Sequence, residues 1–310
     1  MAKAVAEGGR GAWGIKAPRF LLAIPAWAWF VFFYAIPVLW IAYYSFGYKP
    51  DPFRTIATDR LSLDNYRDAL DPTFFRVFTG TLKISLLGTA LCLAIGFPFA
   101  YWLATRVSSR WKGLLLGLCI VPFWTNFLVR TIGWFILLTA EGPLYGLLRW
   151  LGLRDSPIDF LDTVSAVQLG VVYNYLPLMI FPLFVALERL DPALREASKD
   201  LGATRLTTFR QVTVPLASPG IVAGVLLVFI PLTGDYITAL VLGGAKGNMV
   251  GNLVASQFTV GQNWPLGSAM AVMLIFMILA VVAVGAIVLL ATRWALRSRR
   301  HFEIPGVAGA

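Results

Sequence analysis

Histidine and cysteine are nearly missing from this 310-residue chain, which holds one His, at position 301, and two Cys, at 92 and 119. One histidine builds neither a metal cluster nor a catalytic dyad, and both cysteines sit in apolar runs without disulfide or metal-ligand spacing. Charge is scarce as well: 14% of the residues are Asp, Glu, Lys or Arg, against about 25% in an ordinary soluble domain. No Gly-x-x-x-x-Gly-Lys-[Ser/Thr] segment occurs, so the chain carries no phosphate loop of the nucleotide-hydrolase type. What fills the space is apolar. Hydrophobic residues make up 58% of the chain, with 22 Phe and 11 Trp, and the mean hydropathy is +0.73. A water-soluble globule of this size cannot hide so much apolar surface, which excludes the soluble enzyme classes and leaves a polytopic membrane protein.

A bilayer core takes roughly 20 apolar residues per helix. Six stretches qualify: Phe20–Tyr44, Thr81–Leu103, Leu114–Leu138, Thr163–Leu187, Pro219–Leu242 and Ser268–Ala291. The first follows Lys16 and Arg19 but is too long for a signal peptide, and no small-residue cleavage site follows it. The expected architecture is all-α, with six transmembrane helices in a single domain over residues 20–291, a tail over 1–19 and a tail over 292–310. Lys and Arg number sixteen in the tails and the even-numbered loops, against eight in the odd-numbered loops. In the first loop, Asp51, Asp59, Asp64, Asp68 and Asp71 offset the five basic residues. By the positive-inside rule both termini are cytoplasmic. The net charge of +10 is then topological and calls for no nucleic-acid partner.

The fourth-to-fifth connection, Glu188–Ser218, is about thirty residues long and full of helix signals, although a hairpin needs only a few. Asp191-Pro192 reads as an N-cap followed by proline at the first helical position. The helix then runs through Arg195-Glu196-Ala197-Ser198-Lys199 and stops at Gly202 in a C′ role. A second short helix is expected over Arg205–Val212, ending before Pro215. Two short amphipathic helices on the cytoplasmic face form a docking surface; the alternative is a surface helix lying among lipid headgroups.

Glu196-Ala197-Ser198, Gly202 after three intervening residues, and Val212-Thr213-Val214-Pro215 after nine more resemble the EAA signature of binding-protein-dependent ABC-importer permeases. Ser198 stands where that family has a second Ala, and Val212 and Val214 where it has Ile and Leu. The resemblance covers about Leu63 to Trp294. It implies a coupling helix that inserts into a groove on a separate ATPase subunit, with Glu196, Ala197, Ser198, Gly202 and Pro215 as the coupling residues. ATP and Mg would then belong to that partner, and this chain would be a transport subunit, not an enzyme, with no cofactor of its own.

A narrower resemblance rests on Pro122-Phe123-Trp124-Thr125-Asn126, Gly234-Asp235-Tyr236-Ile237-Thr238, Asn263-Trp264-Pro265-Leu266-Gly267, Asn65-Tyr66 and Tyr101-Trp102-Leu103-Ala104. These segments are similar to the first permease subunit of spermidine/putrescine importers; permeases for iron(III), thiosulfate and phosphonates are near relatives. The resemblance implies a second homologous permease, two ATPase copies, an extracytoplasmic substrate-binding protein and a small cationic substrate, in a bacterial plasma membrane. An ion-driven secondary transporter would instead show intramembrane acid or histidine relays and inverted repeats, and neither is visible.

Charges inside the spans mark the expected substrate path. Asp235 on the fifth span and Arg130 on the third lie at matching depth, each about 24 Å along a helix rising from the cytoplasmic side. A carboxylate there needs a partner or water. Asp235 either meets the ammonium groups of a passing polyamine, helped by Tyr236 and by cation–π contacts with Trp124 and Trp134, or pairs with Arg130 and holds two spans together; the available opposite charge tilts the choice toward the pair. Glu141, at the end of the third span, is the next acid a cation would meet.

Overall fold

The computed structural model describes residues 19–298 except 154, 155, 158 and 245; the first eighteen residues and the end of the C-terminal tail, with His301, lie outside the described residues. In chain order the α-helices are α1 (Arg19–Phe30), α2 (Ile36–Tyr44), α3 (Asp64–Ala69), α4 (Pro72–Arg106), α5 (Ser109–Ile120), α6 (Phe127–Leu138), α7 (Pro143–Trp150), α8 (Val164–Glu188), α9 (Pro192–Asp200), α10 (Arg205–Thr208), α11 (Val214–Thr233), α12 (Ile237–Leu242), α13 (Val250–Thr259) and α14 (Trp264–Ser298). Among the described residues there are six stretches long and apolar enough to cross a membrane: Ala23–Tyr44, Pro72–Arg106, Phe127–Trp150, Val164–Glu188, Arg205–Thr233 and Trp264–Thr292. The chain is an all-α, multi-pass membrane protein.

Three helices form the centre. Helices α4, α8 and α11 pack on one another around Cys92, Ala100, Val171, Met179, Leu183, Val228 and Leu232, all buried. Small residues let the backbones approach, as membrane helix interfaces require in the absence of a hydrophobic drive between helices. A side chain at Gly220 would meet Ala186 Cβ and would come 2.7 Å from the Pro182 carbonyl oxygen; one at Gly224 would meet Met179 Sδ at 2.7 Å. Helix starts are set locally. Asp71 caps α4 by accepting from Thr73 N at 2.9 Å ahead of Pro72, and Thr163 caps α8 by accepting from Ala166 N at 3.2 Å.

At the end of the bundle remote from the α8–α11 connection, a second cluster joins Ala69, Phe78, Val250, Leu266 and Met270. The first loop is tied down there. The buried Asn65 amide donates to the carbonyls of Ser45 (3.1 Å) and Gly47 (2.6 Å), Ser45 Oγ lies 2.7 Å from Tyr66 Oη, and Lys49 Nζ donates to the Gly261 carbonyl at 2.9 Å. Asn65-Tyr66 therefore closes the exit of α2. The aromatic segment before it has no buried residue along its apolar window, and α2 packs on α14.

Several expected boundaries differ. The second and sixth helices are each 35 residues, or about 52 Å, well beyond the roughly 30 Å of a hydrocarbon core. The stretch Leu114–Leu138 is not one helix: α5 ends at Ile120, a 3₁₀ turn covers Val121–Trp124, and α6 restarts after Asn126, whose side chain accepts from Leu128 N at 2.8 Å. Pro122 has no N–H to continue the ladder and Asn126 supplies a new start. Pro219–Leu242 is also broken, because α11 ends at Thr233 and α12 begins at Ile237. In the long connection the second helix does not stop before Pro215. It passes from α10 through a π turn at Phe209–Thr213 directly into α11. The wider turn, with Val214 N bonded to the Phe209 carbonyl, carries the chain past a proline that lacks a donor.

Candidate functional site

Two regions are candidates for a functional site, the α8–α11 connection and the polar interior near Asp235. In the connection, Asp191 Oδ1 accepts from Ala193 N at 2.9 Å and starts α9. The helix ends in a Schellman closure: Gly202 N donates to the Lys199 carbonyl (2.8 Å) and Ala203 N to the Ser198 carbonyl (3.1 Å). Gly202 adopts φ +83°, a left-handed conformation that costs other L-residues about 1–2 kcal/mol. A Cβ there would touch nothing within 4 Å, so the constraint is the backbone and not space. Ser198 Oγ lies 3.0 Å from Thr208 Oγ1 and ties α9 to α10, a link that alanine at this position cannot make. Glu196 and Ala197 are exposed on α9, and Pro215 is exposed at the start of α11.

The interior site centres on the break between α11 and α12. Asp235, 6% exposed, accepts from Thr238 N (3.0 Å) and Thr238 Oγ1 (2.6 Å). The carboxylate therefore caps the short α12 instead of projecting from the side of a continuous helix. The expected ion pair with Arg130 is not formed: among the described residues the ion pairs are Arg67–Asp64 and Lys112–Glu188. Arg130 instead lays its guanidinium over Phe123 (4.9 Å) and Phe127 (5.6 Å), and its Nε is buried without a hydrogen-bond partner. Because the chain breaks before each residue, neither continues the straight helix on which equal depth depends. Tyr175 neighbours both: its ring centroid is 6.2 Å from that of Phe127, and its hydroxyl donates to the Pro231 carbonyl at 3.4 Å.

The remaining expected residues are dispersed. Trp124 is 84% exposed and Tyr236 45%. Trp134 is half-buried and meets Tyr173 edge-on at 5.2 Å. Glu141 is exposed in the turn between α6 and α7. A polar seam that the residue pattern does not announce crosses the α4–α8 contact. The buried hydroxyls of Ser85 and Thr89, both amide atoms of Gln168 and Asn174 Oδ1 have no hydrogen-bond partner among the described residues. Asn174 Nδ2 makes one long contact, 3.4 Å, to Thr131 Oγ1. Two amide side chains in an otherwise apolar run were the available signal. Unsatisfied groups in the membrane interior cost several kcal/mol each, which sets this seam apart from the apolar packing around it.

An all-α chain of six crossings, with a helical loop at one end and a polar seam through its centre, has the form of a transport subunit. It belongs to the family of binding-protein-dependent transport system inner membrane components, matched over residues 96–301. The spermidine/putrescine transport system permease protein PotB of Escherichia coli strain K12 is 42% identical over 246 residues, covering 79% of this chain and 88% of the relative. The protein of that name in Haemophilus influenzae is 38% identical over 83% of the chain and 88% of its own length. The inner membrane ABC transporter permease protein YdcU of Escherichia coli strain K12 is 33% identical over 84% of the chain and 86% of its own. A crystal structure of a bacterial ABC transporter involved in import of the acidic polysaccharide alginate superposes with TM-score 0.66, covering 90% of this chain and 95% of that one; at 16% identity it speaks to the fold alone.

Proposed function

We propose that this chain is a permease subunit of an ATP-driven importer of polyamines, spermidine or putrescine. The observation that carries the reading is 42% identity across 88% of the length of the Escherichia coli permease. The buried Asp235 and the unpartnered seam of Ser85, Thr89, Gln168 and Asn174 support a path that tolerates a hydrated cation. In this reading the chain pairs with a second, homologous permease in a bacterial inner membrane and receives substrate from an external binding protein. ATP and Mg reside on two ATPase subunits. The α9 helix is the coupling element. Glu196 and Ala197 face outward for docking, Ser198 braces α9 on α10, Gly202 closes the helix and Pro215 opens the arm that carries the movement into α11.

The deciding experiment is uptake of labelled putrescine and spermidine into vesicles containing the full complex. Expected is uptake that needs the ATPase and survives an uncoupler. Uncoupler-sensitive uptake without the ATPase sinks the importer reading, and uptake of ferric or thiosulfate ions in place of polyamines sinks the substrate assignment.

Two further results are expected. Glu196→Lys keeps the membrane fold but lowers ATPase co-purification at least tenfold, while Gly202→Ala, which destabilises the loop by about 1 kcal/mol through backbone strain, lowers it only a few-fold. Normal co-purification of both variants removes α9 as the coupling element. Single cysteines at positions 109 and 298 label with an impermeant thiol reagent only from the cytoplasm and one at position 62 only from outside; labelling of position 109 from outside reverses the orientation and takes the loop away from the ATPase.

A further inference from the structure

Between α9 and the loop end of α4 lies a cleft of about 440 Å³. Four cationic side chains line it: Arg106 at the end of α4, Arg195 and Lys199 on one face of α9, and Arg205 at the start of α10. Glu196 is the one carboxylate on its walls. Among the described residues none of the four cations forms an ion pair, whereas Lys112, at the same end of the bundle, is paired with Glu188 at 2.8 Å. Four cations against a single carboxylate leave a local positive potential.

A second, independent observation lies in the same wall. Thr213 lines the cleft, is 1% exposed, and its hydroxyl has no hydrogen-bond partner among the described residues. Threonine within a helix ordinarily satisfies its hydroxyl on the carbonyl three or four residues back, as Thr233 does on Phe229 at 2.6 Å. Thr213 sits in the π turn and makes no such bond. A buried free hydroxyl beside four cations and one carboxylate matches a ligand that is strongly negative and rich in acceptors.

We propose that this cleft binds a phosphate group, carried by an anionic phospholipid headgroup or by a free phosphate compound. A carboxylate presents two oxygens and one charge; a phosphate can engage cations on α4, α9 and α10 together. The volume exceeds that of bare phosphate and admits a glycerophosphate headgroup. The apolar edge of the cleft is built from Tyr101, in the last turns of α4, and Phe209, in the π turn that leads into α11, in edge-to-face contact at 5.9 Å; both lie near the ends of membrane-crossing segments, where headgroups lie. An occupied cleft would bridge α4 to α9 and hold the connection against the bundle. The proposal stands whether or not α9 docks an ATPase.

The test is native mass spectrometry of the full-length chain in detergent, titrated with phosphatidylglycerol or with phosphatidylcholine, whose choline would enter among the four cations. In parallel, thermal stability is followed with inorganic phosphate against sodium chloride at equal ionic strength. Phosphatidylglycerol is expected to bind at least tenfold more tightly than phosphatidylcholine. The Arg106→Gln/Arg205→Gln double variant should weaken it about thirtyfold. Thr213→Val should weaken it about fivefold while Thr213→Ser keeps it, and Arg110→Gln, outside the cleft, should change nothing. Cleft-dependent stabilisation by inorganic phosphate without lipid preference supports the site and assigns a soluble source. Failure of both probes, or binding that survives the double variant, overturns the proposal and leaves the cleft to acidic groups of a partner subunit.

Discussion

Gly220→Val is expected to leave almost no folded protein in the membrane. The added Cβ meets Ala186 Cβ and lies 2.7 Å from the Pro182 carbonyl oxygen. One obstacle is a helix backbone, which no rotamer change can move aside. Relief requires α8 and α11 to separate along the contact that seats Met179, Leu183 and Val228. Overpacking typically costs 1–3 kcal/mol where side chains can yield, so a clash with backbone should exceed about 3 kcal/mol, a large fraction of a stability margin of roughly 5–15 kcal/mol. Gly113→Ala and Gly133→Ala serve as controls, since a Cβ at either position meets nothing within 4 Å and alanine is the better helix former by up to about 1 kcal/mol. Their abundance on fluorescence-detected size exclusion should equal or exceed that of the unmodified protein. A monodisperse Gly220→Val protein at normal abundance would falsify the close α8–α11 crossing.

Asp235→Ala should lower putrescine uptake at least tenfold and reduce abundance as well, because it strips the partner from both Thr238 N–H and Thr238 Oγ1. A buried donor left unsatisfied costs about 1–3 kcal/mol. Asp235→Asn keeps one acceptor oxygen for the Thr238 amide, so it should retain abundance while still losing transport if the charge attracts the cation. Adding Arg130→Gln should not restore uptake, since Arg130 rests on Phe123 and Phe127 and not on the carboxylate. A loss of abundance in Asp235→Asn that the double variant restores together with uptake would show that the two charges pair in the working membrane. Measuring both quantities on the same vesicle preparations separates a folding effect from a transport effect.

What the sequence reveals here is chemistry that is settled within a few residues. Asp191-Pro192 and Gly202 could be read as the two ends of α9 because caps and left-handed closures depend on near neighbours. The composition likewise declares six apolar crossings. The breaks at Pro122–Asn126 and at Gly234–Asp235 are encoded just as locally, by a proline with a following Asn cap and by an Asp-x-x-Thr cap, but an apolar run long enough to span a bilayer masks them. Pro215 misleads in the opposite sense: it reads as a helix end, and only the π turn before it lets the helix continue. Residues 72–80, with Arg76 among aromatics, dilute the hydropathy that would have announced the full length of α4. The site is harder to read. Whether Arg130 meets Asp235 or two phenylalanines depends on how α6 sits against its neighbours, and the unpartnered state of Gln168 and Ser85 exists only once α4 faces α8.

The uninterrupted run from α10 through the π turn into α11 has a mechanical consequence. Arg205–Thr233 is a rod of 29 residues, held against α8 near its middle by the tight crossing at Gly220. Its two arms are nearly equal, about 22 Å toward Arg205 and about 20 Å toward Thr233. Such a rod behaves as a seesaw: a rocking of about 10° around Gly220 would displace its two tips by between about 3 and 4 Å in opposite directions. A push at the α9–α10 end would thus arrive at Asp235 at nearly full amplitude and with its sense reversed.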